Sequence, residues 1–117
     1  MSVGEVIVER VQGVWVFTLR GEHDISIEPT FQRRLEQAFD AGSTVIVDLS
    51  EVEFMDSSVL RTLAYGAEQA ARHPQHDIGI VALPDSHARR LLAITGIDKH
   101  ISISNTRADA LAAPSPD

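Results

Sequence analysis

Three short apolar runs constrain the fold of this chain more than any other feature of its sequence. They are residues 14–19 (VWVFTL), 45–49 (VIVDL) and 78–83 (IGIVAL), and as strands they would be apolar on both faces. Such a strand must lie inside a sheet that is covered on both sides, which is typical of parallel strands joined by crossover helices. The sequence therefore predicts an α/β fold with these three strands at the centre of the sheet.

Turn and cap signals divide the rest of the chain. A hairpin joins residues 6–8 to the first run, Gly21 is expected to break the second strand, and residues 101–103 predict a short last strand. Helices are predicted from about Pro29 to Gly42, after residues 54–58 to about Arg72, between Ser86 and Gly96, and over residues 107–112. The resulting order, β-β-α-β-α-β-α-β-α, predicts one mixed sheet covered by helices.

The length of the chain leaves room for one domain. With 117 residues, of which 44% are apolar and 23% charged, it is expected to fold as a single unit over residues 1–112. Residues 113–117 are small and rich in proline, and we expect them to form a flexible tail. The absence of cysteine excludes a disulfide scaffold, a zinc-thiolate site and a cysteine nucleophile.

The charge of the chain bears on its partners. A net charge of −7 opposes direct binding to nucleic acid, which requires a concentrated basic surface. The amino terminus lacks the basic segment of a signal peptide, and no apolar stretch approaches the length of a membrane span. We therefore expect a cytoplasmic protein that contacts neither nucleic acid nor a membrane. Its acidic surface suits solubility or a partner with a basic patch.

No motif in the sequence supports catalysis or cofactor binding. The chain has no G-x-S-x-G elbow, no P-loop and no G-x-G-x-x-G. His23 and Asp24 are adjacent, which is a poor placement for two triad partners that must orient one another. His73, His76 and Asp77 have loose metal-ligand spacing, but they fall in an expected solvated loop. We therefore predict a non-enzymatic protein without metal or cofactor.

Three short segments occur in an order that resembles a known family. They are residues 21–24 (GEHD) after the second strand, 45–50 (VIVDLS) as the third strand, and 54–58 (FMDSS) leading into the second helix. With these segments, and over about residues 6–112, the chain resembles the STAS domain of the anti-sigma factor antagonist family. The resemblance implies a partner switch, in which the unphosphorylated protein binds a kinase-type anti-sigma factor and so releases the sigma factor.

The same resemblance implies how the switch is controlled. The anti-sigma factor serine kinase would phosphorylate the serine directly after the aspartate, which is Ser57 in this chain. Phosphorylation would block binding, and a serine phosphatase would reverse the modification.

The FMDSS segment places three polar residues at the predicted start of the second helix. A helix N-terminus carries unpaired N–H groups and a partial positive charge, so Asp56, Ser57 or Ser58 can cap it, which is a purely structural role. Phosphate on serine adds roughly −1.5 to −2 charges at neutral pH, which a helix N-terminus tolerates and a protein interface does not. Phosphorylation here would therefore block binding and leave the fold intact. The family pattern favours Ser57, and Ser58 is its rival.

The predicted second helix has an apolar face and a polar face. The apolar face is expected to comprise Leu60, Leu63, Ala64, Ala67 and Ala71. The solvent face is expected to carry Ser58, Arg61, Thr62, Tyr65, Gln69 and Arg72. Tyrosine and arginine are enriched among interface anchors, although a surface tyrosine is often incidental.

We predict that a partner binds around the start and the solvent face of this helix. The resemblance adds Asp24, because an aspartate of that loop lies near the phosphorylation site in the family, and a turn aspartate that binds its own backbone is the equal alternative. The predicted partner-binding residues are Asp24, Asp56, Ser57, Ser58, Arg61, Thr62 and Tyr65.

Val59 departs from the family pattern, which usually has glycine after the two serines. A β-branched residue narrows the backbone choices in the first turn and adds bulk beside the predicted switch. Val59 therefore favours an alternative function, a STAS adaptor that is not phosphorylated and binds the ATPase of a lipid-transport complex. The Asp-Ser-Ser triplet favours the switch.

Overall fold

The computed structural model describes residues 5–23, 28–40, 44–55, 57–72 and 77–112, with the backbone alone at 22, 23, 28–30, 57 and 58. Its strands are β1 (Glu5–Val11), β2 (Val14–His23), β3 (Thr44–Met55), β4 (Asp77–Val81) and β5 (Ser102–Ser104). The α-helices within these ranges are α1 (Glu28–Asp40), α2 (Ser57–Arg72), α3 (His87–Thr95) and α4 (Arg107–Ala112), and a 3₁₀ helix covers Ile97–Lys99. The predicted tail at residues 113–117 lies outside the described residues.

The five strands form one mixed sheet in the order β1-β2-β3-β4-β5. β1 is antiparallel to β2, and the other neighbouring pairs are parallel. Helices α1, α2 and α3 connect the parallel strands as crossovers, which is what the apolar runs required. The predicted α/β fold, a single mixed sheet covered by helices, is confirmed.

β2 is longer than the sequence predicted. Gly21 was expected to break the strand, yet β2 continues to His23 and pairs there with Met55. Gly21 takes a φ of 79°, which glycine adopts without strain, and the register between β2 and β3 shifts directly after it. The strand continues past this irregularity because β3 runs to Met55 and supplies partners for it.

Both faces of the central strands are buried. The main core lies between one face and helices α1, α2 and α3; among its fully buried members are Phe17, Leu35, Val47, Leu63 and Ile80. On the opposite face, Val16, Ile46 and Val81 are buried against Ala110 and Leu111 of α4. A six-residue helix therefore completes the cover that a strand with two apolar faces requires.

A buried carboxylate interrupts this second face. Asp48 on β3 is 3% exposed, and its Oδ2 accepts a hydrogen bond from Nε of Arg107 at 3.0 Å. Arg107, the first residue of α4, also donates to the hydroxyl of buried Thr18 on β2 and lies 3.5 Å from a carboxylate oxygen of Glu9 on β1. Because a buried charge is tolerated only when it is paired and hydrogen-bonded, Arg107 makes Asp48 acceptable at this position. The same contacts tie α4 to three strands.

Arg107→Ala is expected to lower the free energy of unfolding by about 2–3 kcal/mol, because Asp48 is left as an uncompensated buried charge. Chemical denaturation followed by circular dichroism measures the change. Arg72→Ala is the control, since it removes an exposed ion pair with Glu68 on α2 and is expected to cost at most about 0.5 kcal/mol. Equal losses in the two variants would contradict the role given to Arg107.

The buried face of α2 matches the prediction only in part: Leu60 and Leu63 are buried as predicted, and Ala67 packs against the core. The buried residues of α2 are Val59, Leu60, Thr62, Leu63 and Gly66. Ala64 and Ala71, which were predicted to be buried, are exposed. A Cβ atom at Gly66 would lie only 2.9 Å from Cδ1 of Ile78 and 3.3 Å from Cδ2 of Leu35. The glycine therefore lets α2 approach β4 and α1 closely. A prediction from the spacing of apolar side chains misses this contact, because glycine has no side chain.

Gly66→Val is expected to lower the free energy of unfolding by about 1–3 kcal/mol, because the added methyl groups overpack the contact with Ile78 and Leu35. Ala64→Val introduces the same side chain at an exposed position of α2 and is expected to cost only its lower helix propensity, about 0.5 kcal/mol. Chemical denaturation of both variants separates packing from propensity. A Gly66→Val protein as stable as the Ala64→Val protein would show that α2 does not approach the core so closely.

Candidate partner-binding surface

The carboxyl ends of the parallel strands form one edge of the sheet, and α2 begins at this edge. The last residues of β2 and β3, His23 and Met55, are register partners. α2 begins at Ser57, two residues after β3 ends, so Ser57 and Ser58 both belong to its first turn. In open α/β sheets the carboxyl edge is where binding sites form, because loops and helix N-termini converge there.

The start of α2 is the positive end of a helix of 16 residues. The first turn leaves backbone N–H groups without helical acceptors, and the aligned peptide dipoles give it a partial positive charge. No acidic side chain in the first turn of α2 offsets this charge, and Arg61 is exposed on the following turn. An added anion at Ser57 or Ser58 is therefore stabilised by the helix.

An irregularity in the pairing of β3 with β2 lies between the buried polar cluster and this edge. The carboxylate Oδ1 of Asp48 accepts hydrogen bonds from the backbone N–H of Ser50 at 2.9 Å and from its hydroxyl at 2.6 Å. At the same place the register of β3 against β2 shifts between Thr18 and Arg20. Asp48 therefore fixes both the attachment of α4 and the path by which β3 reaches α2.

The structure describes the predicted binding residues to different extents. Asp24 and Asp56 lie outside the described residues, although they directly follow the paired residues His23 and Met55 in the sequence. Ser57 and Ser58 are placed by their backbone in α2. Arg61 is exposed, as predicted.

Thr62 corrects the predicted surface. It was assigned to the solvent face, but it is only 1% exposed, because the close packing at Gly66 turns this side of α2 inward. A side chain buried to this extent cannot contact a partner while α2 stays packed. The prediction that Thr62 is exposed is therefore wrong.

Tyr65 is partly buried, whereas the sequence predicted that it would be exposed. Burial raises the pKa of Tyr65 above its ordinary value of 10.0, and the carboxylate of Glu36 on α1, which shares a hydrogen bond with it, raises the pKa further. Asp40 and Glu68 act in the same direction. Tyr65 therefore links α2 to α1, and only part of its ring is available to a partner.

Val59 is fully buried in the main core. The sequence suggested that its bulk would lie beside the switch. Val59 instead belongs to the main core, so its methyl groups are packed inside the domain. Crowding by Val59 therefore does not argue against modification of the neighbouring serines.

Two large apolar side chains are exposed at this edge, and one of them corrects a prediction: Leu83 was expected inside the buried strand 78–83, but β4 ends at Val81. Phe54 near the end of β3 is 48% exposed, and Leu83 just beyond β4 is 46% exposed. The ring of Phe54 stacks on the imidazole of His87, with centroids 5.5 Å apart and planes inclined by 20°. The signal available in the sequence was a large apolar residue close to each of two strand-to-helix junctions, Phe54 in FMDSS and Leu83 in LPDS.

Among residues 5–23, 28–40, 44–55, 57–72 and 77–112, no three His, Asp or Glu side chains are grouped so that they could hold a metal ion. His73 and His76 lie outside these ranges. No helix in the same ranges is both long and apolar enough to cross a membrane.

A mixed sheet with α2 starting at its carboxyl edge and an Asp-Ser-Ser triplet at that start defines a class of small regulatory domains. Residues 5–110 match the STAS domain, and the chain belongs to the STAS domain family. It is 32% identical to the anti-sigma-F factor antagonist RsfB of Mycobacterium tuberculosis over 107 residues, which cover 91% of this chain and 85% of RsfB.

Solved structures show the same fold. An anti-sigma factor antagonist from Mycobacterium paratuberculosis has a TM-score of 0.80 and 29% identity, over 93% of this chain and 92% of its own. SpoIIAA in its unphosphorylated form has a TM-score of 0.74 and 20% identity, over 92% and 93% of the two chains. SpoIIAA of Bacillus in its phosphorylated form has a TM-score of 0.69 and 19% identity, over 92% and 96%.

The position of Tyr65 can be tested by titration, because it is the only tyrosine in the chain. Its tyrosinate absorbance is expected to appear above pH 10, and Glu36→Gln is expected to shift this titration to lower pH by removing a repelling charge. Since the folded pKa is the higher one, the stability that Tyr65 contributes is present below pH 10 and is lost as the pH rises through the folded pKa. Glu5→Gln on β1 is the control, and an equal shift in both variants would contradict the Tyr65–Glu36 contact.

Proposed function

We propose that this protein is an anti-sigma factor antagonist that acts as a phosphorylation-controlled partner switch. The unphosphorylated form binds a kinase-type anti-sigma factor and so releases the sigma factor, and phosphorylation of Ser57 blocks this binding. The observation that carries the proposal is the position of the two serines in the first turn of α2, at the carboxyl edge of the sheet. The similarity to RsfB, an anti-sigma-F factor antagonist, supports the class of partner.

The first turn of α2 suits a residue that gains charge. A phosphate adds roughly −1.5 to −2 charges, and a helix N-terminus stabilises such an anion by about 0.3–1 kcal/mol per charge at an exposed position. No residue of the first turn of α2 is itself acidic, and Asp56 directly precedes this turn in the sequence. SpoIIAA, which has this fold, has been solved in a phosphorylated form. The domain is therefore expected to stay folded after modification.

The same charge is unfavourable inside an interface. A phosphate buried against a partner loses its hydration, and without a matching cation that loss costs several kcal/mol. Only a partner that places basic residues against the phosphate could offset this loss of hydration. Phosphorylation therefore abolishes binding through local charge, without unfolding either protein.

The proposed binding surface is the start of α2 together with the segments that adjoin it. Its members are Asp24, Asp56, Ser57, Ser58, Arg61 and the exposed part of Tyr65. The proposed partners of the protein are an anti-sigma factor serine kinase and a serine phosphatase. The protein binds them in the cytoplasm and is not itself an enzyme. No cofactor takes part.

Ser57→Ala is expected to bind the kinase-type anti-sigma factor as tightly as the natural protein and to accept no phosphate in the presence of ATP. Ser58→Ala is the matched control, because it removes the neighbouring hydroxyl in the same turn, and it is expected to be phosphorylated normally. Ser57→Asp is expected to fold normally and to bind at least tenfold more weakly, about 1.4 kcal/mol or more. Mass spectrometry locates the phosphate, and calorimetry measures binding.

Several results would contradict the proposal. Phosphate on Ser58 alone would transfer the switch to that residue. If no kinase-type anti-sigma factor that binds the protein phosphorylates it, the result would favour the alternative function, an adaptor that binds a lipid-transport ATPase. Loss of the circular dichroism spectrum in Ser57→Asp would show that the start of α2 does not tolerate charge.

A further inference from the structure

Arg61 differs from the other basic residue of α2 in having no acidic neighbour on the helix. Its side chain is exposed, and within the part of the chain that the structure describes it belongs to none of the ion pairs. Side chains three and four positions apart are neighbours on a helix. For Arg61 these positions are Ser57, Ser58, Ala64 and Tyr65, and none of them is acidic. Arg61 is therefore an exposed cation one turn after the two serines.

The other end of α2 shows how an acidic residue pairs with arginine at this spacing. Glu68 and Arg72 are four positions apart, and Oε1 of Glu68 lies 3.0 Å from Nη2 of Arg72. The acidic residue precedes the arginine, which is the more favourable order on a helix. Ser57 and Arg61 have the same spacing in the same helix. A phosphate on Ser57 would therefore stand in the same relation to Arg61 as the carboxylate of Glu68 does to Arg72.

Phosphate is a stronger partner for arginine than a carboxylate is. It carries roughly −1.5 to −2 charges at neutral pH and three acceptor oxygens, and the flat guanidinium can donate to two of them at once. Asp56, which directly precedes Ser57, stands five positions from Arg61, and that is not a spacing at which side chains on a helix pair. Among the described residues, Arg61 has no ion pair to give up when a phosphate arrives.

We propose that Arg61 binds the phosphate of phosphorylated Ser57 within the same helix and is the phosphate-binding residue of the switch. The proposal rests on the proposed function, to which it adds the group that receives the phosphate. The pair holds the phosphate against α2 and stabilises the modified start of the helix. Phosphorylation thus engages an exposed cation of the binding surface as well as adding negative charge to that surface.

The test uses protein with phosphoserine incorporated at position 57 during translation, so that no kinase is needed. Phosphorus NMR measures the second pKa of this phosphate, which is about 6 without a partner. An arginine that binds the dianion lowers this pKa, because it favours the more negative form. Arg61→Gln is therefore expected to raise the pKa by about 0.3 or more. Arg61→Lys is expected to recover part of the difference, since lysine keeps the charge without the two parallel hydrogen bonds.

Arg72→Gln is the matched control, because it removes the same charge from the same helix at about 22 Å from Ser57 along the axis. That distance exceeds the Debye length of about 8 Å at physiological ionic strength, so the phosphate pKa is expected to stay the same. Thermal unfolding is the second measurement. Arg61→Gln is expected to lower the melting temperature by about 2 °C more in the phosphorylated protein than in the unphosphorylated one. Arg72→Gln is expected to lower it equally in both.

The outcomes separate this pair from the proposed function. An unchanged phosphate pKa in Arg61→Gln, or the same shift in Arg72→Gln, would overturn the pair and leave the proposed function standing. The absence of any recovery in Arg61→Lys would show that charge is not the cause, and it would overturn the pair as well. The proposed function fails separately, if no kinase-type anti-sigma factor that binds the protein phosphorylates Ser57. That failure would also overturn the regulatory role given to Arg61, and the NMR titration would still show whether the pair forms.

Discussion

Burial of both faces of β3 is the constraint on which the other parts of this structure depend. Val45, Val47 and Leu49 face the main core, and Ile46 and Asp48 face α4. The first face requires the crossover helices, and the second requires a cover of its own. That cover is short, and the Arg107–Asp48 pair holds it, so the ion pair and the apolar contacts of α4 depend on one another.

β3 also connects the core to the carboxyl edge of the sheet, where α2 begins. Asp48 bonds Ser50 within β3 and Arg107 across the sheet, and the strand then continues to Met55. Close packing at Gly66 sets the orientation of the helix that follows. The start of α2 is therefore positioned by rigid elements on both sides, and a binding surface built on rigid elements loses little entropy when a partner docks.

The structure separates folding from regulation. The residues that stabilise the domain, such as Val59, Leu63 and Gly66, face inward from α2, and the proposed switch stands at the exposed positive end of the same helix. A charge added there alters the surface without entering the core. The proposed modification would therefore not require the domain to unfold.

The α/β class and the central strands follow from the sequence alone, because a run such as 45–49, apolar on both faces, can be buried only inside a covered sheet. The sequence also placed the serines at a helix start, since Asp-Ser-Ser after a strand is a local signal. Only the tertiary structure decided which face of α2 is buried: a glycine at 66 matters because Ile78 and Leu35 lie opposite it, and neither is close in sequence. The burial of Thr62, the contact of Tyr65 with Glu36 and the pairing of Arg107 with Asp48, 59 residues apart, likewise depend on which elements meet in space, and no local pattern encodes that.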